Sequence, residues 1–412
     1  MSATGVSESE ARALVAGLAP SEPAAGQSPL ERYARASWSC LVEPGDGVAG
    51  IVVSMLGARR ALDLLAEGAS AQRIAAEVAE TGPADSDLRR NLTVRIADGL
   101  KRWTPRLDRA AVDRSISLAR RTGTRLVLPS DAEWPQGLSD LGPHAPLALW
   151  MRGRTESLAS LSRSIALVGA RAASAYGEDQ TAEAANGLVG RGFSIVSGAA
   201  YGIDGVAHRT AIASGGVTIA FLAGGVDRPY PAGHHELLDR MRERGAVLAE
   251  VPSGAAPTRW RFLQRNRLIA AASRATVVME AGWRSGSLNT AGHAAELGRP
   301  LGALPGRVDS PSSAGCHRLI RDYAAVCVTS ADEMAELVDA APSLTSGRTA
   351  AEQASADETR VIDALSVRSA RAPGDLARRA GLPVEAVEGV LGVLELEGRA
   401  IARADGWVYR PR

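Results

Sequence analysis

The chain has 412 residues, enough for two or three domains, at least one of them with a sizeable buried core. Its formal net charge is only +1, so overall charge does not attract it to nucleic acid and any anion site must be local. The three cysteines, Cys40, Cys316 and Cys327, are an odd number without paired spacing. This pattern argues against a disulfide framework and favours a reducing, cytoplasmic compartment.

The first 122 residues divide into two regions. Residues 1–29 are rich in Ser, Ala, Gly and Pro without a clear period, which predicts a disordered tail. Residues 30–122 have helical periodicity interrupted by Pro and Gly, which predicts a small helical domain. The segment Pro44–Gly50 is only a degenerate helix-hairpin-helix signature, so we do not assign it independent DNA binding. Neither a secretory signal nor a membrane span is predicted.

Residues 123–340 alternate short apolar runs with stretches long enough for a helix. The apolar runs are Ile165–Val168, Phe193–Val196, Val217–Leu222, Ala246–Leu248, Ala275–Met279, Leu301–Ala303 and Ala325–Val328. Such alternation predicts an α/β fold, with a Rossmann-like, doubly wound and mostly parallel sheet covered by helices on both faces. Ligands bind beyond the carboxyl ends of the strands in sheets of this kind, so the loops that follow the strands are the candidate site.

The last part of the chain is predicted to be a winged helix on a linker. Residues 341–357 are small and polar, as in a linker. Residues 358–412 contain three helical stretches and then a hairpin that turns at Asp405-Gly406. The third helix and its end carry four acidic residues: Glu385, Glu388, Glu395 and Glu397. These would repel the phosphates of a major groove, which favours a protein-contact or autoregulatory role over reading of duplex DNA.

The loops after the strands have the chemistry of a phosphate site. The loop after the first strand of this region offers glycine for close backbone approach and an arginine for an anion. The loop after the fifth strand, at 285–287, opens a helix with free backbone N–H groups and two hydroxyls. Each loop alone could be a simple helix cap, but their convergence favours a ligand. The candidate residues are Gly169, Arg171, Ser174, Ser197, Gly198, Ser285, Gly286, Ser287 and Thr290.

A block of basic residues supplies the other candidates. Between Glu250 and Glu280 there are five arginines and no acidic residue, and aromatic side chains are interleaved with them. Basic residues beside aromatic rings suit a single nucleic-acid strand, whose phosphates are charged and whose bases stack. We therefore expect Arg265, Asn266 and Arg267 to bind DNA. We also expect these arginines, Arg171 and the 285–287 loop to form one electropositive pocket.

Six segments carry a family resemblance. They are Val168-Gly169-Ala170-Arg171; Ser197-Gly198 with Gly202-Ile203-Asp204 and His208; Tyr230-Pro231; Arg265-Asn266-Arg267-Leu268-Ile269-Ala270; Ser285-Gly286-Ser287-Leu288 with Thr290; and Pro305-Gly306. In this order they resemble the core of the DNA-processing protein A (DprA/Smf) family over about residues 163–338. The resemblance implies single-stranded DNA binding, protection of incoming strands during natural transformation, and loading of the RecA recombinase. It also implies that the helical domain at residues 30–122 is of the SAM or helix-hairpin-helix type. It implies no catalysis and no cofactor, and we also expect a homodimer.

Three further details bear on the site. Val217 stands where many relatives have a lysine, so one phosphate contact is either missing or supplied by another arginine. Asp204 and His208 could form an acid–base pair, but no nucleophile or companion carboxylate is identifiable, so we predict a structural role for them. The six histidines have no recognisable ligand spacing, and we predict no metal site.

The alternative function is enzymatic. Rossmann-like phosphoribohydrolases that cleave nucleoside monophosphates share this topology and use a glutamate near the phosphate loop, for which Glu280 or Glu296 would be candidates. Against this alternative, the Pro-Gly-Gly-x-Gly-Thr loop of those enzymes is absent. The segment Arg265-Asn266-Arg267 also has no obvious use in such an enzyme.

Overall fold

The computed structural model describes residues 5–21, 28–81, 86–339, 358, 360–396, 398–403 and 405–410. The chain forms two compact units, Met1–Ala340 and Ala341–Arg412. Their boundary coincides with the start of the predicted linker, and the linker residues 341–357 lie outside the described residues. No helix within the described ranges has both the length and the apolar run that crossing a bilayer would take.

The N-terminal segment is folded where a disordered tail was predicted. Helix α1 spans Glu8–Val15 and is capped by the side chain of Ser7. Four residues of the segment are buried against later parts of the chain: Val6, Ala11, Val15 and Leu18. The Leu126 backbone N–H also donates to the Leu18 carbonyl at 2.7 Å. The predicted tail is therefore wrong for residues 5–21, because distant residues supply the apolar contacts that one short helix lacks.

Helices continue up to the sheet, as predicted. Within the described residues they are α2 (Pro29–Leu41), α3 (Gly47–Leu56), α4 (Ala58–Ala66), α5 (Ala71–Glu80), α6 (Ser86–Trp103) and α7 (Arg109–Arg121). One side of α2 forms a core with α3–α6, in which the rings of Trp38 on α2 and Trp103 on α6 meet edge to face at 5.4 Å. Other apolar residues of α2 and α7, such as Tyr33 and Ile116, instead pack in one cluster with strands of the sheet. The region 30–122 is therefore part of the same compact unit as the sheet and not a separate domain.

Nine strands of the described chain form one sheet. They are β1 (Arg125–Val127), β2 (Leu149–Gly153), β3 (Ser164–Gly169), β4 (Ser194–Ser197), β5 (Thr218–Leu222), β6 (Ala246–Ala249), β7 (Ala275–Glu280), β8 (Leu301–Ala303) and β9 (Val326–Cys327). Their order is β1-β2-β6-β5-β4-β3-β7-β8-β9, and strands β3 to β9 are parallel. The chain builds outward from β3 to β6 and then returns to place β7 beside β3. This return creates a switch point between β3 and β7, the position where such sheets bind ligands.

Helices cover both faces of the sheet, which confirms the predicted Rossmann-like fold. They are α8 (Ala175–Gly190), α9 (Ile203–Ala213), α10 (His235–Arg244), α11 (Arg259–Ala272), α12 (Ser287–Glu296), α13 (Ala314–Asp322) and α14 (Ala331–Asp339). Alternate residues of β3 point to opposite faces. Ile165 and Leu167 pack with α8, α9 and α14, whereas Ala166 and Val168 pack with α11 and α12. Helix α11 therefore lies on one face, with its first turn near the carboxyl ends of the strands.

The second unit is the predicted winged helix. It contains α15 (360–364), α16 (Pro373–Ala380), α17 (Val384–Leu396) and an antiparallel hairpin of β10 (Ala400–Arg403) and β11 (Gly406–Tyr409). Gly381 ends α16 in the left-handed conformation at a φ of 66°. The three helices and β10 share a core that includes Val361, Leu376 and Leu391.

Candidate functional site

A cavity opens at the switch point, beyond the carboxyl ends of β3 and β7. Its volume is about 460 Å³, and its walls come from the loops after β3, β4 and β7, from α11 and from the start of α12. We call this cavity the strand-end pocket. It brings together eight of the predicted residues: Gly169, Arg171, Arg265, Asn266, Ser285, Gly286, Ser287 and Thr290. Of the set predicted to share one pocket, Arg171, Arg265 and the 285–287 loop line it, and Arg267 does not.

A cation and an aromatic ring form one wall of the strand-end pocket. The exposed Arg171 guanidinium lies 4.9 Å from the centroid of the Phe262 ring. The Phe262 ring in turn lies 5.4 Å from the ring of Tyr230, which is exposed. A positive charge next to an accessible ring offers a phosphate contact and a stacking surface within the same small area.

Arg265 lies at the back of the pocket and holds its walls together. The buried side chain donates to the carbonyl oxygens of Gly198 at 2.6 Å and Phe221 at 2.5 Å. A Cβ at position 198 would lie 2.4 Å from the guanidinium, so a residue other than glycine there would displace the Arg265 side chain. Burial lowers the pKa of Arg265 to about 10, which still leaves it cationic at neutral pH. Arg265 thus fixes the ends of β4 and β5 to α11 and places a positive charge behind the pocket.

Asp204 and His208 bond to different partners and do not form a pair. The Asp204 carboxylate accepts from the backbone N–H groups of Gly198 at 3.1 Å and Ala200 at 3.4 Å, which closes the loop after β4. Burial raises the pKa of Asp204, and the nearby Arg265 opposes that rise. Burial lowers the pKa of His208 to about 3, and its Nδ1 lies 2.6 Å from the Thr218 hydroxyl. These contacts agree with the predicted structural role.

The 285–287 loop presents a helix start to the pocket. The hydroxyl oxygens of Ser285 and Ser287 lie 2.7 Å apart, and Gly286 at the N-cap of α12 offers no side chain to cap the first amides. Asn266 donates to the Gly286 carbonyl at 3.4 Å and so holds the loop against α11. Exposed Arg284, which we did not predict from sequence, also lines the pocket. A helix start beside an arginine is a favourable seat for an anion.

Arg267 does not reach the pocket. It is only 3% exposed, and its Nη2 donates to both carboxylate oxygens of Glu250 at 2.7 Å. The prediction that Arg267 belongs to the electropositive pocket is therefore wrong, because residues two apart on a helix do not share a face. Arg261 is likewise paired with Glu43 at 2.9 Å. Two arginines of the block thus have partner carboxylates, which come from outside it.

Three further candidates lie beside or behind the pocket. The Ser174 backbone N–H and hydroxyl donate to Glu280 at 2.8 and 2.7 Å, and Ser174 lines a neighbouring cavity of about 640 Å³. The Ser197 hydroxyl is fully buried and donates to the Leu167 carbonyl at 2.6 Å. The Gly198 carbonyl is occupied by Arg265. None of these three residues therefore lines the strand-end pocket, because their polar groups form hydrogen bonds with other residues of the chain.

Val217 is also remote from the pocket. Strand β5 begins at Thr218 and runs towards Leu222, so Val217 lies at the amino edge of the sheet. The pocket lies at the opposite, carboxyl edge. The expectation that Val217 marks a missing phosphate contact is wrong for this reason.

The glutamates of the alternative enzyme do not line the strand-end pocket. Both oxygens of the buried Glu280 accept from Ser174, and Glu296 is exposed at the far end of α12 beside His293. Burial raises the pKa of Cys316 to about 12, so this thiol is not reactive at neutral pH. Among the described residues, no group of three or more His, Cys, Asp or Glu side chains could hold a metal ion.

Comparison with known proteins gives consistent matches. A family model described as DNA recombination-mediator protein A matches residues 125–339, and one described as the DprA winged helix domain matches residues 345–406. A DNA processing protein DprA of Mycobacterium tuberculosis is 45% identical over 315 residues, which cover 73% of this chain and 80% of that protein. The Bacillus subtilis DprA is 32% identical, covering 58% and 78%. The crystal structure of Streptococcus pneumoniae DprA matches with a TM-score of 0.55 and 29% identity, covering 74% of this chain and 96% of that one.

Proposed function

The chain belongs to the DNA recombination-mediator protein A (DprA/Smf) family, and from this premise we propose that it binds single-stranded DNA in DNA processing and natural transformation. The observation that carries the proposal is the composition of the strand-end pocket. Arg171, Arg284 and the start of α12 supply positive charge, and Phe262 supplies a ring in the same cavity. A single strand presents both of the groups that this combination suits.

The pocket favours the backbone of the strand over its sequence. Its lining includes arginines, hydroxyls and backbone amides, which contact phosphate and sugar and carry no sequence information. The other two polar side chains of the lining, Asp204 and Asn266, bond to loops of the chain itself. The Phe262 ring can stack only on a base that is not already paired. We therefore expect binding with little sequence preference and with a clear preference for single strands over duplex.

Fluorescence anisotropy with labelled oligonucleotides tests this proposal. The full chain is titrated at one salt concentration with an oligothymidine, a mixed-sequence single strand of equal length, and the duplex of that sequence. We expect the two single strands to bind within about threefold of each other and at least about tenfold tighter than the duplex. Equal affinity for duplex and single strand at the same salt would contradict the proposal.

We further propose that the protein protects incoming strands and loads RecA in the cytoplasm. Family membership supports this step, and the three unpaired cysteines suit a reducing compartment. The test has two measurements: resistance of a bound strand to an exonuclease, and the lag before RecA filaments form on a strand coated with single-strand-binding protein. We expect the full chain to increase the first and to shorten the second. An unchanged lag would overturn the RecA step alone.

We also propose a homodimer. The sheet ends at β9, where Val326 and Cys327 are exposed, and an uncovered edge strand is a surface that a second copy can extend. At the other edge, the Leu126 backbone N–H of β1 donates to the Leu18 carbonyl of the N-terminal segment. Sedimentation over a concentration series should show a dimer that Val326→Lys converts to a monomer. A monomer at all concentrations would refute the proposal.

The proposal assigns the pocket no catalytic role. Incubation of the full chain with each nucleoside monophosphate should release no free base, as followed by chromatography. Release of base that disappears in Glu280→Gln would instead establish the phosphoribohydrolase alternative.

A further inference from the structure

One side of α17 in the second unit is not used by the winged-helix core. The core side is formed by Val387, Leu391 and Leu394, which are fully buried. The opposite side carries an exposed apolar strip: Val393 is 49% exposed and Leu396 is 91% exposed. Gly389 and Gly392 complete this side by helical spacing. We call the four residues Gly389, Gly392, Val393 and Leu396 the α17 face.

The two glycines of the α17 face are not explained by the fold. Glycine inside a helix destabilises it relative to alanine. A Cβ at Gly389 or Gly392 would meet no heavy atom within 4 Å, and neither residue has a positive φ. Their small size therefore serves no contact within the described chain. It leaves the helix backbone open, which lets a second helix approach closely, because the distance between packed helices depends on the side chains at the contact.

An acidic edge of Glu388 and Glu395 runs beside the α17 face, and Glu385 lies on the face itself, one turn before Gly389. Glu385, Glu388 and Glu395 are exposed, and the helix contains no basic residue. None of the three forms an ion pair with another described residue. Glu395 also lies in the last turn, where the helix dipole disfavours a carboxylate. The negative charge of this edge is thus left without compensation within the described part of the chain.

The negative charge of these glutamates restricts which kind of molecule can bind the α17 face. The phosphates of duplex DNA would be repelled by three uncompensated carboxylates. A second copy of α17 packed antiparallel on the face would place the two acidic edges side by side, which like-charge repulsion disfavours. A helix with an apolar stripe and flanking Lys or Arg side chains would satisfy both the apolar strip and the acidic edge.

We propose that the α17 face docks a basic amphipathic helix of a partner protein. The apolar side chains of the partner helix pack over Gly389, Gly392 and Leu396, and its basic side chains pair with the acidic edge. This inference goes beyond DNA binding and does not depend on it, because every residue involved belongs to the second unit.

Model peptides test the proposal on the full chain. Three labelled peptides of about 18 residues, long enough to form a helix, are titrated by fluorescence anisotropy. The first is amphipathic with an Ala/Leu stripe and flanking Lys, the second has Glu in place of each Lys, and the third scrambles the first so that the stripe is lost. We expect the first to bind at least about tenfold tighter than either of the others.

Substitutions in α17 connect the binding to the face. Leu396→Lys and Gly389→Gln should each weaken binding of the first peptide by at least about fivefold. The triple substitution Glu385→Gln, Glu388→Gln, Glu395→Gln should remove the preference for the Lys peptide over the Glu peptide. Gly374→Gln in α16 is the matched control, since a Cβ there also meets no atom within 4 Å. It should leave peptide binding unchanged.

The remaining outcomes overturn the proposal. Equal binding of the three peptides, or an equal loss in the Gly374 and Gly389 variants, means that the α17 face does not recognise a basic helix. Self-association that Leu396→Lys abolishes makes a second copy the occupant. Competition of the peptide with duplex DNA makes the face a nucleic-acid surface. Affinity for single strands should be the same in all these variants, so failure here leaves the DNA-binding proposal standing.

Discussion

Arg265 and Arg267 are two residues apart on α11 and face opposite surroundings. Arg265 contributes to the strand-end pocket and donates to two loop carbonyls. Arg267 is buried on the other side, paired with Glu250, whose Oε1 also accepts from the Gly45 backbone N–H of the helical region. One side of α11 therefore faces the strand-end pocket, and the other side joins the sheet to the preceding helices. A run of arginines in a sequence can divide between these two roles according to helix phase.

The largest expected effect follows from substitution on the side of α11 that joins the sheet to the preceding helices, which we call its support side. Arg267→Ala should lower the free energy of unfolding by about 3–5 kcal/mol, because it leaves Glu250 without its buried partner. Urea denaturation measures the loss. The double substitution Arg267→Met, Glu250→Gln should recover most of it, since no unpaired charge then remains. If Arg267→Ala were as stable as the unsubstituted chain but bound DNA weakly, Arg267 would contact DNA and the division of α11 into two sides would be wrong.

Phe262→Ala tests the ligand side. Removal of the ring should weaken single-stranded DNA binding by about 1–3 kcal/mol, the usual contribution of one stacked base. The melting temperature should change little, because Phe262 is partly exposed. Trp260→Ala is the control: Trp260 lies on the same helix and is exposed, but it does not line the pocket. Equal losses in both variants would show that α11 acts through its surface and not through the pocket.

The stability of the protein at low pH tests the structural role of the buried His208. Burial holds the pKa of His208 at about 3, below the unfolded value of about 6.5. The unfolded chain therefore binds more protons between these values, and stability is lost as the pH falls below 6.5, by about 1.4 kcal/mol per pH unit. His208→Gln should flatten this part of the pH profile, whereas the exposed His235→Gln should not. An unchanged profile in His208→Gln would exclude this origin of acid sensitivity.

Arg171→Ala should give the smallest effect. Arg171 is exposed, so its loss should change the free energy of unfolding by less than about 0.5 kcal/mol. If it contacts one phosphate, the slope of log K against log salt should become shallower by about 0.7. Arg114→Ala, an exposed arginine of α7, is the control and should leave the slope unchanged. A lower melting temperature with an unchanged salt slope would mean that Arg171 stabilises the fold and does not contact DNA.

The sheet and the position of the pocket were predictable from local sequence. Apolar runs of strand length alternate with helix-length stretches, and the loop chemistry after Val168 and after Glu280 shows where a ligand can bind. Arg171 and the 285–287 loop lie in the pocket as expected. Arg284 was missed although it directly precedes that loop, and its position next to a helix start was the signal that could have identified it.

The remaining details depend on distant contacts that sequence spacing does not show. Glu250 precedes the arginine block, and only the fold places it against Arg267. Helix phase alone could have separated Arg265 from Arg267, since two positions turn the helix by about 200°. Ser197 ends a buried strand and uses its hydroxyl within the sheet. The helix at the N-terminus has too short an apolar pattern to distinguish it from a tail.

The docking of α1 also sets the order in which the protein can fold during synthesis. Leu18 is held by Leu126, and α1 packs with α7. An eight-residue helix does not persist alone. Its contacts with α2 can form early, but those with α7 and Leu126 are complete only when residue 126 has left the ribosome. At 5–20 residues per second this delay is roughly 5–20 s. During that time residues 5–21 are open to proteases and chaperones, and they become protected only when β1 has emerged.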